Sequence, residues 1–310
     1  MADYPRTAVE LHDMFPTERA CREYLVRLRW PERVRCPDCG ATEVWNMTPP
    51  FYRCAHCGYD FTVTAGTLLA DTHKPLRLWF EAIWEVTHQK AGASALGLQR
   101  VLGLGSYRTA WNWLHKLRRA MVRPGRDRLS GVVEVDETFL GGPRPGKRGR
   151  GAAGKTLVLI AAQADGRKIG RIRLARIANA SAASLEPAVQ GAVESGTRIQ
   201  TDDWSGYGGL KKLGYAHEVI HLATALGDNL LPRVNLVASL LKRWLLGTHQ
   251  GAVSPSHLDY YLDEFTFRFN RRNSRSRGLL FYRLLEQSVI MPPVRGEDLI
   301  GGRPLTTGGG

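Results

Sequence analysis

Two sets of side chains have types and spacings that can do chemistry. The first is a set of thiols. RCPDCG (35–40) and RCAHCGYDF (53–61) together read Cys-x2-Cys-x14-Cys-x2-Cys. Two residues between thiolates let both sulfurs reach one ion from a tight turn, and Zn²⁺ takes four such ligands in a closed tetrahedron. Cys36, Cys39, Cys54 and Cys57 are therefore the predicted structural Zn²⁺ ligands. Gly40 and Gly58 each follow a second Cys, where the chain must reverse. The two pairs mirror each other, which argues against a redox Cys-x-x-Cys. His56, inside one knuckle, is either a competing ligand or a solvated loop residue. The fifth cysteine, Cys21, falls on a predicted helix and reads as core. Five cysteines so arranged favour a metal site in a reducing compartment over a disulfide framework.

The second set is acidic. VVEVDETFLGG (132–142) places Asp136 in an apolar strand, and TDDWSGYGGL (201–210) places Asp202 at the end of another. A carboxylate in an apolar strand needs a partner or an ion, because burying it bare is expensive. Two strand-borne carboxylates from distant sequence can flank one or two Mg²⁺ ions. Such ions activate an attacking oxygen and stabilise a leaving one in phosphodiester displacement. Structural caps also explain many such Asp residues, so spacing alone leaves both readings open. Glu134 and Glu137 flank Asp136, and strand alternation is read as turning both to the opposite face. Asp228, in an expected loop, is a weaker candidate. His217, His221 and His249 have no ligand spacing.

The elements that must position these groups fall into two halves. Residues 8–30 read as one helix, and residues 33–64 as short strands around the cysteine turns. PLRLWFEAIWEVTHQ (75–89) is an amphipathic helix whose Pro75 suits a first turn. SALGLQRVLG (94–103) and SYRTAWNWLHKLRRAMV (106–122) are two helices around a Gly-containing turn, an arrangement like a helix-turn-helix. The Pro/Gly-bearing stretch 122–131 marks a boundary. Beyond it, 132–140, 155–163, 170–177, 197–202 and 216–222 read as strands and 181–195 as a helix between two of them. Residues 234–247 and 256–272 read as helices. This order implies a layered α/β domain. The expected divisions are an N-terminal helical segment (1–32), a zinc ribbon (33–64), a helical DNA-binding region (65–123), a catalytic domain (132–290) and a flexible tail (291–310).

The 310 residues carry 43 Lys and Arg against 29 Asp and Glu, a net charge of +14. That excess attracts a polyanion, and nucleic acid is the default because each neutralised phosphate releases counterions. No apolar run is long enough to span a membrane, and the N-terminus lacks the apolar core of a secretory signal. Arg108, His115, Lys116, Arg118, Arg119 and Arg123 make residues 106–123 a basic helix, facing either DNA or solvent. Arg144, Lys147, Arg148, Arg150 and Lys155 lie among glycines in 141–155. That segment is either a phosphate-contacting loop or a disordered insertion. Arg268, Arg271 and Arg272 are further candidates to track a DNA backbone.

The chain resembles the ISXO-type insertion-sequence transposases, members of the DDE superfamily with a ribonuclease-H-like catalytic domain. The motifs that carry the resemblance span nearly the whole chain. They are the zinc ribbon, TAGTLLADTHKPLRLWFEAIW (64–84), VVEVDETFLGG, TDDWSGY (201–207) and LLKRWLLGTHQGAVSPSHLDYYLDEFTFRFNRR (240–272). The resemblance implies that Asp136 is the first catalytic carboxylate and Asp202 the second. Asp203 stands where the family has Gly, which leaves the choice between Asp202 and Asp203 open; Thr201 and Trp204 favour Asp202. It implies Asn235 at the third position, seven residues before Lys242, with both on one helical face. Asn235 is alternatively a helix N-cap after Pro232.

The implied cofactors are catalytic Mg²⁺ or Mn²⁺ and structural Zn²⁺. The implied activity is cleavage and strand transfer at terminal inverted repeats, with element and target DNA as partners. A homo-oligomer in the DNA complex and a prokaryotic, nucleoid-associated cytoplasmic setting are implied as well. The competing readings are a decayed transposase that binds without cutting, and a plain metal-dependent nuclease.

Overall fold

The structure is a computed structural model that describes residues 3–123, 125–141, 155–221, 230–251 and 253–302. In chain order the elements are helices α1 (Ala8–Met14) and α2 (Glu18–Arg29), strands β1 (Val44–Asn46), β2 (Tyr52–Cys54) and β3 (Asp60–Phe61), then helices α3 (Leu76–His88), α4 (Ala95–Leu102) and α5 (Tyr107–Ala120). Strands β4 (Val132–Leu140), β5 (Thr156–Asp165) and β6 (Lys168–Ile177) follow, then α6 (Ala182–Ala192), β7 (Arg198–Thr201) and β8 (Ala216–Val219). The chain closes with α7 (Pro232–His249), α8 (Leu258–Asn270), α9 (Arg277–Ile290) and α10 (Gly296–Gly301). Two compact units result. The first runs to Arg123 and resumes over Ser274–Ile300, and the second lies between.

In the first unit the helix expected over 8–30 is two helices. Pro16 has no N–H to continue α1. Thr17 then starts α2 by accepting the Ala20 N–H at 3.2 Å, as Thr7 starts α1 by accepting that of Glu10 at 3.1 Å. α3 begins after Pro75 without a side-chain cap of its own. Glu18 supplies one from α2, its two oxygens accepting the N–H groups of Leu76 and Arg77 at 2.9 Å each. α4 ends on Gly103 at φ +60°, the left-handed conformation that glycine adopts freely, and Ser106 caps α5.

The catalytic domain was expected to run to residue 290, but α9 packs with α2, α3 and α5 in the first unit. Its Phe281 meets the rings of Phe15, Phe80 and Trp84 at 5.8–6.1 Å. An apolar stripe on a helix goes wherever a complementary face exists, and sequence distance does not decide which. α10 occupies part of the span expected as a tail; residues 303–310 lie outside the described residues.

The second unit is a mixed α/β layer built on one five-stranded sheet, ordered β6-β5-β4-β7-β8. β6, β5 and β4 are antiparallel, whereas β4, β7 and β8 are parallel. One sheet face packs Val133, Val135, Leu159 and Ala161 against α6 and Tyr207. The other packs Val158, Ile160, Ala162 and Leu174 against α7 and α8. Covered on both faces, the centre of β5 is apolar at consecutive positions rather than at alternate ones.

Candidate functional site

The four cysteines come together. Their sulfurs all lie within 4.8 Å of one another, and they are the one cluster of three or more His, Cys, Asp or Glu among the described residues that can hold an ion. Sγ of Cys36 is 3.7 Å from that of Cys57, and Sγ of Cys39 is 3.6 Å from that of Cys54. A tetrahedron with Zn–S of about 2.3 Å has S···S edges of about 3.8 Å, so the cluster fits Zn²⁺.

The two knuckles repeat one geometry. The N–H of Cys36 donates to Ala41 O and that of Gly40 to Cys36 O, as Cys54 does to Tyr59 O and Gly58 to Cys54 O, all at 2.9–3.0 Å. Both turns close on glycine, at φ +76° and +75°. The N–H of Cys57, against burial and with help from the His56 N–H, holds the Cys54 thiol down to about 6; at Cys57 the Tyr59 N–H pulls the same way, but burial and the neighbouring thiols outweigh it and push that thiol up to about 12. His56 is exposed. Cys21 is wholly buried, and burial pushes its thiol up to about 12, as suits a core residue.

The acidic residues sit in the second unit. β4 and β7 run parallel with Glu134 beside Gln200. Counting two residues on from that pair reaches Asp136, in the middle of β4, and Asp202, just past the last residue of β7. Asp136 pairs with Ile160 across β5, which places it on the sheet face that meets α7 and α8. Its Oδ1 accepts the Glu137 N–H at 2.8 Å. Asp202 follows the end of β7, half-buried, and its Oδ1 accepts the Trp204 N–H at 3.1 Å. Asp203 is exposed, with its carboxylate 3.9 Å from His221.

One hydroxyl feels three of the acids at once. Tyr207 is buried and donates to Glu137 at 2.7 Å. Its pKa is driven up first by burial, then by the charge and hydrogen bond of Glu137, then by the charges of Asp136 and Asp202. Glu137 thus lies with Tyr207 on the face opposite Asp136. Glu134 does not: it is two residues from Asp136, so alternation returns it to the same face. This corrects the expectation that both glutamates turn away. Glu134 is 2% exposed and binds the first turn of α7.

α7 carries Asn235 and Lys242, both exposed, beside a buried stripe of Val234, Val237, Ala238, Leu241 and Leu245. Asn235 is not the cap. Leu231 holds that position, Pro232 follows it, and the Asn235 N–H already bonds to Leu231 O at 3.0 Å. Carboxylate and amide oxygens such as these are donor types that Mg²⁺ accepts, since it takes few carboxylates and keeps waters.

The basic segments divide. On α5, His115 and Arg118 are buried, Lys116 and Arg119 half-buried and Arg108 exposed; Arg123, past the end of the helix, is exposed as well. Burial lowers the Lys116 pKa against an opposing pull from Asp71. The expectation that this whole set faces outward is therefore corrected, since α4 and α9 pack on the helix. Arg268 is tied to Glu264 at 2.8 Å. Arg271 lies 4.1 Å over the Phe267 ring. Arg272 donates to the carbonyls of Ile169, Gly170 and Phe269. These three hold the fold together. His249 packs between Trp244 and Tyr261. Arg144, Lys147, Arg148, Arg150 and Asp228 lie outside the described residues.

Comparison with known proteins matches residues 128–270 to an ISXO2-like transposase domain and residues 16–60 to a transposase zinc-ribbon domain. The first match falls within the second compact unit and the second within the first. A relative from Halobacterium salinarum, described as an uncharacterized protein in transposable element ISH50, is 27% identical over 275 residues. The alignment covers 82% of this chain and 91% of that protein.

Proposed function

Because this chain belongs to the ISXO2-like transposases with an N-terminal zinc ribbon, we propose that it cuts the ends of an insertion sequence and joins them to target DNA. The observation that supports the reading is the parallel pairing of β4 and β7, Glu134 beside Gln200, with Asp136 and Asp202 each two residues further on. The sheet order, with three antiparallel strands followed by two parallel ones, supports a ribonuclease-H-like domain.

Asp136, Asp202 and Asn235 would hold Mg²⁺ or Mn²⁺, which would supply Lewis-acid charge to the attacking and leaving oxygens when bound. Water attacks the phosphorus in line and the bond to the element's 3′-oxygen breaks, freeing its 3′-hydroxyl; that hydroxyl then attacks a target phosphodiester in line, and the target strand's own 3′-oxygen leaves as a hydroxyl. The chain's part is to fix the carboxylates on a rigid sheet before substrate arrives. Lys242 lies two turns along α7 from Asn235, on the same face, where its ammonium can meet a phosphate near the scissile bond.

The ribbon and the α4–α5 pair read the terminal inverted repeats. Tyr107 and Arg108, exposed at the start of α5, occupy the position from which a recognition helix reaches base edges. No helix among the described residues is long and apolar enough to cross a membrane. The proposed setting is the nucleoid of a prokaryotic cytoplasm, with more than one copy in the DNA complex.

The test is Mg²⁺-dependent cleavage of DNA carrying the element's own ends, and joining of a pre-cut 3′-hydroxyl end. Cleavage and joining are expected. Cleavage without joining makes the protein a nuclease, and specific binding without either makes it a DNA-binding protein descended from a transposase.

A further inference from the structure

The first turn of α7 is held by a residue that belongs to another element. A helix leaves its first N–H groups without partners and carries a partial positive charge at that end. α7 has no side-chain cap of its own: Leu231 is at the cap position and Pro232, next, has no N–H. Glu134 Oε2 accepts the Arg233 N–H at 2.7 Å and the Val234 N–H at 3.0 Å. Its Oε1 accepts from the Arg233 guanidinium at 2.6 Å. That guanidinium also donates to Gly166 O, in the turn between β5 and β6, at 2.9 Å. Both oxygens of Glu134 are thus occupied by donors from one helix turn, which makes it a poor metal ligand despite its place two residues from Asp136.

We infer that Glu134 is a positioning residue: it locks the start of α7 to the strand that carries Asp136, and so fixes Asn235 relative to the two carboxylates. The inference rests on the proposed metal site. Arg233 and Val234, whose N–H groups Glu134 binds, immediately precede Asn235. Strand and helix residues 99 and 100 apart in sequence become one rigid piece at the point where the ligands must agree. A ligand set held this way binds its ion without ordering the helix first.

Glu18, which caps α3 by the same device in the first unit, provides a control. Glu134→Gln, Glu18→Gln and Asn235→Ala are made in the full chain. Mn²⁺ binding is read by electron paramagnetic resonance without DNA, and amide exchange over residues 233–235 by mass spectrometry. Both glutamine variants are expected to melt earlier than the wild type. Only Glu134→Gln should weaken Mn²⁺ binding, by about 10–100-fold as expected for lost support behind a ligand, and speed exchange at the start of α7. Combined with Asn235→Ala it should add little, because it acts through that residue.

Mn²⁺ binding unchanged in Glu134→Gln while its melting point falls like that of Glu18→Gln overturns the inference. So does full additivity with Asn235→Ala. Should Glu134→Gln not fold, Glu134→Asp carries the same test, since it keeps the charge but is one methylene short of the Arg233 and Val234 N–H groups. If no variant, wild type included, cuts DNA, the functional reading fails, and Mn²⁺ binding and exchange still decide the role of Glu134.

Discussion

In the ribbon, the buried hydrophobic cluster consists of Cys36, Cys54 and Phe61, so two of its three members are metal-ligand candidates. In the acidic site, neither Asp136 nor Asp202 belongs to a core, and the sheet that carries them is packed on both faces by other residues. The ribbon is shorter than the roughly 40 residues below which a fold usually needs a metal or a disulfide. The rings of Trp30, Tyr52 and Phe61 and the Arg53–Asp60 pair add to its support. An ion in the ribbon therefore completes the fold, whereas an ion at the acidic site would arrive at one already made. The difference tells which groups can be removed without losing the structure, and it can be broken by experiment.

The largest effect is expected in the ribbon. Zinc bound to such sites contributes on the order of 10–16 kcal/mol of apparent folding free energy. Cys36→Ser, or a strong chelator, should release one Zn²⁺ per chain and unfold residues 33–64 while amide protection in β4, β5 and β7 stays intact. Elemental analysis and hydrogen exchange check this together. A ribbon that keeps its protection without zinc would erase the contrast between the two sites.

At the acidic site the order is reversed: activity should go and the fold should stay. Asp136→Asn and Asp202→Asn should each reduce cleavage to background while end binding is kept. Both should melt no earlier than the wild type in metal-free buffer, because each removes a negative charge from the group around Tyr207. Asn235→Ala should lower cleavage severely, and Asn235→Glu should retain part of it by supplying an anionic ligand. Asp203→Asn should be far milder, since that side chain is exposed and faces His221. A dead Asp203→Asn beside an active Asp202→Asn would move the second ligand by one residue.

Which parts could be read from sequence follows from how local the deciding forces are. The cysteine knuckles were legible because one tight turn fixes each pair. β4 was legible as a Val-rich run bounded by Gly131 and Gly141, along which side chains must alternate between faces. The place of Glu134 was available from the same alternation by counting two residues rather than one, but its partner lies 99 residues away and leaves no local mark. The buried Arg118 and His115 were misread because their neighbours on α5 are basic and only packing by α4 and α9 decides which cations are covered. Asn235 looked like a cap because it follows Pro232, yet the helix starts at the proline itself.

The smallest effect concerns a histidine that sequence spacing left without a role. His217 Nε2 lies 2.8 Å from Thr201 Oγ1, and that hydroxyl donates to Asp202 O at 2.7 Å. A hydroxyl has one proton, so it accepts from His217, and Nε2 must carry the ring proton. Burial, aided by the nearby Lys211, lowers the His217 pKa below its usual 6.5. The unfolded chain therefore takes up a proton near pH 6.5 where the folded chain does not. By linkage, stability falls as pH drops below that point and levels off once the folded pKa is passed. His88 shifts the same way, so the wild type alone does not isolate the effect. His217→Gln keeps a donor for Thr201 and does not titrate. Urea unfolding at pH 7.5 and 5.5 should show a smaller loss for His217→Gln than for the wild type. Equal losses would assign the slope to His88, and would leave the strand end beside Asp202 insensitive to acid.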